Sequence, residues 1–140
     1  MPLLDVSELQ AILVEAFPGN VVPHVEEVTD DHVIVSQTID VQHGRPGGTL
    51  SGPTMMMLAD TGAWLAIMSR IGPVLLAVTT SLHIDFLRKP ALVDVMARAR
   101  VLKLGRRLAV AEVELFSRGH AELVAKAQVT YSLPSTNSPA

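Results

Sequence analysis

The sequence predicts an α+β domain in which one antiparallel sheet curls around a single long apolar helix. Two observations carry this reading. Residues 53–70, "PTMMMLADTGAWLAIMSR", are apolar on most faces of a helix, and such a helix in a water-soluble chain has to be wrapped by other structure. Most of the remaining chain reads as strands separated by turn-forming residues, which makes a sheet the available wrapper. At 140 residues, with no linker, repeat or low-complexity tract, the chain is expected to form one domain over residues 1–134.

The elements follow in order. Apolar residues at Val6, Leu9, Ile12, Leu13 and Ala16 fit a short amphipathic helix over residues 5–17, capped by Asp5 or Ser7 and ended by Pro18-Gly19. Val21 to Val28 and His32 to Val41 read as strands around a turn at Thr29-Asp30-Asp31. "QHGRPGG" reads as a loop. Pro53 suits the first helical turn, where its missing N–H was unpaired anyway, and Gly72-Pro73 ends the helix. Val74 to Leu87 reads as one strand, with Leu82, Ile84 and Phe86 alternating against Ser81, His83 and Asp85. Val93 to Leu104 and Leu108 to Ser117 read as a hairpin around Gly105-Arg106-Arg107. Ala121 to Leu133 follows the turn at Arg118-Gly119-His120, and residues 135–140 are expected to be a disordered tail.

Composition narrows the function classes. Hydrophobic residues make up 49% and the mean hydropathy is +0.36, more than one small monomer is expected to hide, so a homo-oligomer is expected. The most apolar run is too short for a membrane span and contains Asp60. A net charge of −3 argues against general nucleic-acid binding. There is no cysteine, hence no disulfide, thiol nucleophile or Cys-based metal site. The acidic start "MPLLDVSELQ" is unlike a signal or transit peptide, so cytoplasmic residence is expected. None of the five histidines is paired with another at ligand spacing, so no metal site is expected. "LSGP" is not a G-x-S-x-G elbow, which rejects a serine hydrolase.

Asp60 is the residue that needs explaining, because a buried ionised carboxylate costs several kcal/mol unless it is paired. One reading gives it a hydroxyl partner among Thr54, Thr61 and Thr79. The other gives it chemistry. Asp60 lies eight residues, about 12 Å, from Gly52 at the helix start, so it cannot face its own helix's free amides. Two such helices packed antiparallel in a dimer would bring the acid of one chain near the amides of the other, bracketing a reacting carbonyl.

The segments "GGTLSGPTMMMLADTGAW", "VTTSLHIDFLRKPA" and "ARVLKLGRRLAVAEVEL" resemble the acyl-CoA thioesterases of the phenylacetate-pathway (PaaI-like) type, which have the hotdog fold. The resemblance spans about Val21 to Leu133. In that family the central helix starts at His-Gly-Gly and carries an acid eight residues after the first Gly, a spacing that Gly52 and Asp60 keep. The resemblance implies hydrolysis of a coenzyme A thioester, with Asp60 as general base or nucleophile and the Gly52 amide polarising the carbonyl. It implies a hydroxyl from the other subunit early in the next strand, a position matched by Thr79. It also implies coenzyme A phosphates held near Arg88, Lys89, Arg106 and Arg107 across a dimer that is doubled to a tetramer. No cofactor is implied beyond the coenzyme A of the substrate.

Three positions depart from the pattern. Ser51 replaces the family's His, Pro53 its second Gly, and Arg45 an Asn six residues before that His. Ser51 can donate a hydrogen bond or cap the helix, and Arg45 brings a permanent charge to the mouth of the site. Met55, Met56, Met57 and Trp64 read as packing residues that can also line an acyl pocket. His43, in the loop before the helix, is a weaker candidate for the pocket. The alternatives on the same fold are a non-catalytic acyl-CoA or lipid-binding module and an enoyl-CoA hydratase or dehydratase.

Overall fold

In the computed structural model, residues 1–38, 44–45, 49–90 and 93–134 are described. The chain runs α1 (Val6–Ala16), β1 (His24–Val28), β2 (Val33–Gln37), β3 (Gly44–Arg45), β4 (Thr49–Leu50), α2 (Gly52–Ile71), β5 (Val78–Phe86), β6 (Val95–Leu104), β7 (Leu108–Ser117) and β8 (Leu123–Ser132). Six strands form one antiparallel sheet in the order β1-β2-β6-β7-β8-β5, and β3 pairs with β4 separately. The sheet wraps α2, as the sequence predicts. No helix among the described residues is long and apolar enough to cross a membrane.

The close seating of α2 has a cause in residue size. Its sheet-facing side carries Ala59, Gly62, Ala63 and Ala66, all buried. The sheet answers with Ala97 and Ala99 on β6, Ala109 and Ala111 on β7, and Ala125 and Ala127 on β8, also buried. Small residues on both surfaces let helix and sheet approach, and Leu58, Leu65, Ile67 and Met68 fill the remaining space, each at 0% exposure. Complete burial of such a side chain contributes about 1.5–3 kcal/mol.

Local chemistry sets the element ends. Asp5 caps α1 in a reciprocal pair with Glu8: Asp5 Oδ1 accepts from the Glu8 amide at 2.9 Å, and Glu8 accepts from the Asp5 amide at 3.1 Å. The helix presents Leu9 and Leu13 to the core. Its Gln10 side chain donates to Pro23 O and accepts from Val25 N, which occupies backbone groups at the start of β1. This helps explain why β1 starts at His24 rather than Val21. Similarly, β5 begins at Val78 rather than Val74, because Val74 O accepts from the Ala77 amide and from Trp64 Nε1. The segment expected to be a loop before α2 contains the short β3–β4 pair, with Gly44 opposite Leu50 and Arg45 opposite Thr49. His43 and the expected tail at 135–140 lie outside the described residues.

A methyl added at Gly62 would meet Val35, Ala99 and Ala97 at 3.6–3.8 Å, which is ordinary contact. Gly62→Ala should therefore stabilise the fold by up to about 1 kcal/mol through helix propensity. A rise in the urea midpoint at unchanged m-value would confirm this, whereas a fall would mean that helix and sheet are too close for one methyl.

Candidate active site

Asp60 is half-buried where α2 passes β5 and β8, at the flank of the sheet. Its Oδ1 accepts two hydroxyl hydrogen bonds, one from Thr79 at 2.7 Å and one from Tyr131 at 2.7 Å. The Tyr131 hydroxyl also lies 3.0 Å from the Asp60 carbonyl oxygen. Among the described residues no hydrogen bond reaches Oδ2, so the two hydroxyls fix the carboxylate through one oxygen and leave the other available. The carboxylate lines an open cleft of about 400 Å³ together with Thr61, Trp64, Thr79 and Tyr131.

The register of the sheet explains why both hydroxyls aim at one oxygen. Thr79 on β5 and Tyr131 on β8 are direct cross-strand partners, and side chains opposite one another in a ladder lie on the same face. Tyr131 continues the inward alternation of Ala125, Ala127 and Val129 on β8. Thr79 needs an additional device. Continued from Ser81, His83 and Asp85, strict alternation would turn it outward. The register slips between Thr79 and Ser81, so that Thr80 is an extra residue against β8. This bulge reverses the alternation and turns Thr79 toward Asp60. The resemblance puts the hydroxyl on the other subunit; here Thr79 reaches the Asp60 of its own chain.

Tyr131 is a site residue that the sequence does not single out. It is the only tyrosine, and its place in an apolar alternation was the available signal. Burial raises its pKa well above the ordinary tyrosine value; the Thr79 hydroxyl pulls the other way, and the Asp60 charge adds to the rise. The phenol thus stays protonated as a donor.

The start of α2 is the second half of the arrangement. Ser51 is the N-cap, its Oγ 2.8 Å from Thr54 Oγ1 and accepting weakly from the Thr54 amide at 3.4 Å. Pro53 has no N–H, and the Met55 amide reaches Ser51 O at 3.4 Å. Gly52 is left, among the described residues, as the open donor of the first turn. It sits against Phe86: a methyl on Gly52 would lie 3.4 Å from the ring's Cζ. Within one chain, therefore, the helix start lies toward the Phe86 end of β5 and Asp60 toward the Thr79 end, eight residues or about 12 Å apart along the helix axis.

The other expected site residues divide in the same way. Trp64 is buried, lines the Asp60 cleft and is fixed by its bond to Val74 O. Arg88 and Lys89 follow β5 at the Phe86 end. Arg88 is engaged there, pairing with Glu122 at 2.8 Å and donating to Leu123 O. Arg106 and Arg107 are exposed in the β6–β7 turn, next to Leu108, which pairs with Ser132 opposite Val78 at the Thr79 end. One chain does not bring the four cations together. Arg45 lies in β3, paired with Thr49 just before the helix. Met55 is buried, while Met56 and Met57 are exposed.

Comparison with known proteins places this geometry in context. Residues 47–130 match the family model of the thioesterase superfamily. A provisionally named esterase of Pseudomonas aeruginosa is 35% identical over 103 residues, covering 73% of this chain and 75% of that protein. The crystal structure of a provisionally named thioesterase from Silicibacter sp. TM1040 is similar with a TM-score of 0.86 and 38% identity, covering 96% and 94% of the two chains. A variant of the phenylacetic acid degradation protein PaaI from Thermus thermophilus is similar with a TM-score of 0.69 and 30% identity, covering 80% and 93%.

Tyr131 can be titrated alone, since no other tyrosine contributes absorbance. The folded protein should show no tyrosinate signal near pH 10, where a free tyrosine is half ionised. Because the folded pKa is raised, this stability contribution is complete below the unfolded value and declines as pH rises above it. A half-ionised phenol near pH 10 in protein that remains folded would contradict the buried bond to Asp60.

Proposed function

This chain belongs to the thioesterase superfamily, with its hotdog fold, and on that premise we propose that it hydrolyses a coenzyme A thioester to free acid and coenzyme A. The observation that carries the reading is the Asp60 carboxylate, anchored through Oδ1 by Thr79 and Tyr131 and lining an open cleft. Asp60 Oδ2 takes a proton from water as the water oxygen adds to the thioester carbonyl carbon. Charge developing on the carbonyl oxygen lies against the Gly52 N–H at the positive end of a helix. Collapse breaks the C–S bond, and the proton on Asp60 passes to the departing thiolate. Thr79 and Tyr131 hold the carboxylate at the angle this requires.

The base and the donor come from different chains in this mechanism. Among the described residues the outer edge of β5 is unpaired, and Val78, Phe86 and Leu87 expose large apolar surface along and just beyond it. Such an edge is a template for a second copy. Antiparallel pairing of β5 with its twofold mate sets the Thr79 end of one strand beside the Phe86 end of the other. Asp60 of one protomer then faces Gly52 of its partner. The same operation brings Arg88 and Lys89 of one chain toward Arg106 and Arg107 of the other, a cationic cluster suited to coenzyme A phosphates. The functional unit is accordingly a dimer, and two dimers make a tetramer.

Asp60→Asn keeps an acceptor for both hydroxyls and removes the base. Thiol release should fall by roughly 10²–10⁴-fold with little change in melting. Thr79→Ala should lose on the order of tenfold. Parental turnover in Asp60→Asn rules out the mechanism, and retained binding with no hydrolysis across a broad thioester panel favours the non-catalytic binding module.

A mixed-subunit experiment tests the shared site. Ser51 has φ −76° and ψ 147°, a conformation that accepts a following proline, and Gly52→Pro removes the donor, with melting as the check on its fold. Gly52→Pro alone should lose about 10²–10³-fold. Co-refolding Asp60→Asn with Gly52→Pro should restore part of the activity, because one interface site then has both groups intact. No recovery in a confirmed heterodimer, or full activity from a monomer, would place base and donor on one chain.

A further inference from the structure

A second, largely apolar cavity of about 290 Å³ adjoins the Asp60 cleft. It is walled by the connection from α1 to β1, through Asn20, Val21, Val22 and Pro23, together with Leu13 and Met57. Two residues line both spaces, Phe17 and Thr61. Thr61 follows Asp60 on α2, and its hydroxyl is turned along the helix to Met57 Sδ at 3.7 Å. Phe17 is the C-cap residue of α1, and its ring meets Trp64 edge to face at a centroid distance of 6.3 Å and an interplanar angle of 77°. The aromatic partition is thus braced on its inner side by a buried tryptophan, although 45% of Phe17 remains exposed.

We infer that Phe17 is the specificity-determining partition of an acyl channel, and that the second cavity receives the distal carbons of an unbranched aliphatic acyl group. This deepens the thioesterase reading and rests on it. A carbonyl carbon near Asp60 starts its acyl chain beside Thr61. The lining that continues from there, past the Phe17 ring to Met57, Leu13, Val21, Val22 and Pro23, is mostly apolar; Asn20 is its polar member besides Thr61, and none of the described lining residues is charged. An aliphatic tail gains by leaving water for such a lining, and an acyl group ending in a carboxylate would lose its hydration there. Phe17 follows the last α1 residue and precedes Pro18-Gly19, so the end of the N-terminal helix sets where the partition stands. Selectivity for chain length then depends on α1 as well as on the helix that carries the acid.

The test uses the full chain and two readouts: thiol release from straight-chain acyl-CoA thioesters from acetyl to lauroyl, and binding of the matching S-alkyl-CoA thioethers, which cannot be hydrolysed. In the parent, affinity should rise by about fourfold for each methylene that enters the second cavity and then level off. Val22→Phe, which fills that cavity, should move the plateau to shorter chains, lowering affinity for long thioethers by more than for short ones. Phe17→Ala, at a half-exposed position that tolerates truncation, should extend acceptance to longer and branched groups. A uniform loss across all lengths in both variants, or an unchanged length profile, overturns the inference. Length-dependent thioether binding that shifts in the variants, with no thiol release by the parent, keeps the channel and removes the hydrolase reading. Thiol release with an unshifted profile does the reverse.

Discussion

Fold and site both depend on the close approach of α2 to the sheet. A helix that is apolar nearly all round has to be covered nearly all round, and a curled sheet covers it only if the two backbones come near. Gly62, Ala63 and Ala66 on the helix and two buried alanines on each of β6, β7 and β8 make that approach possible. The cover is incomplete at one flank, where β5 forms the sheet edge. Asp60 emerges at this flank, and its charge meets the polar groups and open space it requires.

The site is accordingly held by rigid elements. Thr79 and Tyr131 are locked by the β5–β8 ladder, and Asp60 is fixed within a helix anchored by the buried Ala59, Ala63 and Trp64. A carboxylate so placed reorganises little when charge moves, which is where preorganised sites gain most of their effect. The start of α2 follows the same logic. Ser51 and Pro53 dispose of the other first-turn groups, and the Gly52 amide is left over with no side chain of its own to obstruct it. Among the described residues β5 forms a sheet edge with no strand on its outer side, and the proposed second copy would complete the proposed reaction centre there.

Much of this was legible in the sequence. The order of elements, the central helix bounded by Pro53 and Gly72, the β6–β7 hairpin and the turn at Gly119 followed from periodicity and turn chemistry, because burial pattern and backbone geometry are local properties. Asp60 stands out because a charge inside an apolar helix is visible without coordinates, whereas the role of Gly52 is implied by the family resemblance, whose Gly-to-acid spacing it keeps. The start of β5 was misplaced because Val74 spends its carbonyl on Trp64 and a turn, which are partners from another element and the next few residues. Tyr131 is not legible in the sequence because a tyrosine on an alternating strand looks the same whether its hydroxyl reaches solvent or a carboxylate.

The sequence by itself determined which segments are buried, where the chain turns, and that one acid is out of place in an apolar helix, since each of these rests on the chemistry of neighbouring residues. Only the tertiary structure decided the direction of Thr79. A single bulged residue reverses the strand's alternation, and a bulge is a relation between two strands rather than a property of either. The same holds for the separation of Arg88 and Lys89 from Arg106 and Arg107, and for the adjacency of Phe17 to the Asp60 cleft. Those relations depend on where distant segments come to rest, and what fixes them is the packing of α1 and the sheet around α2.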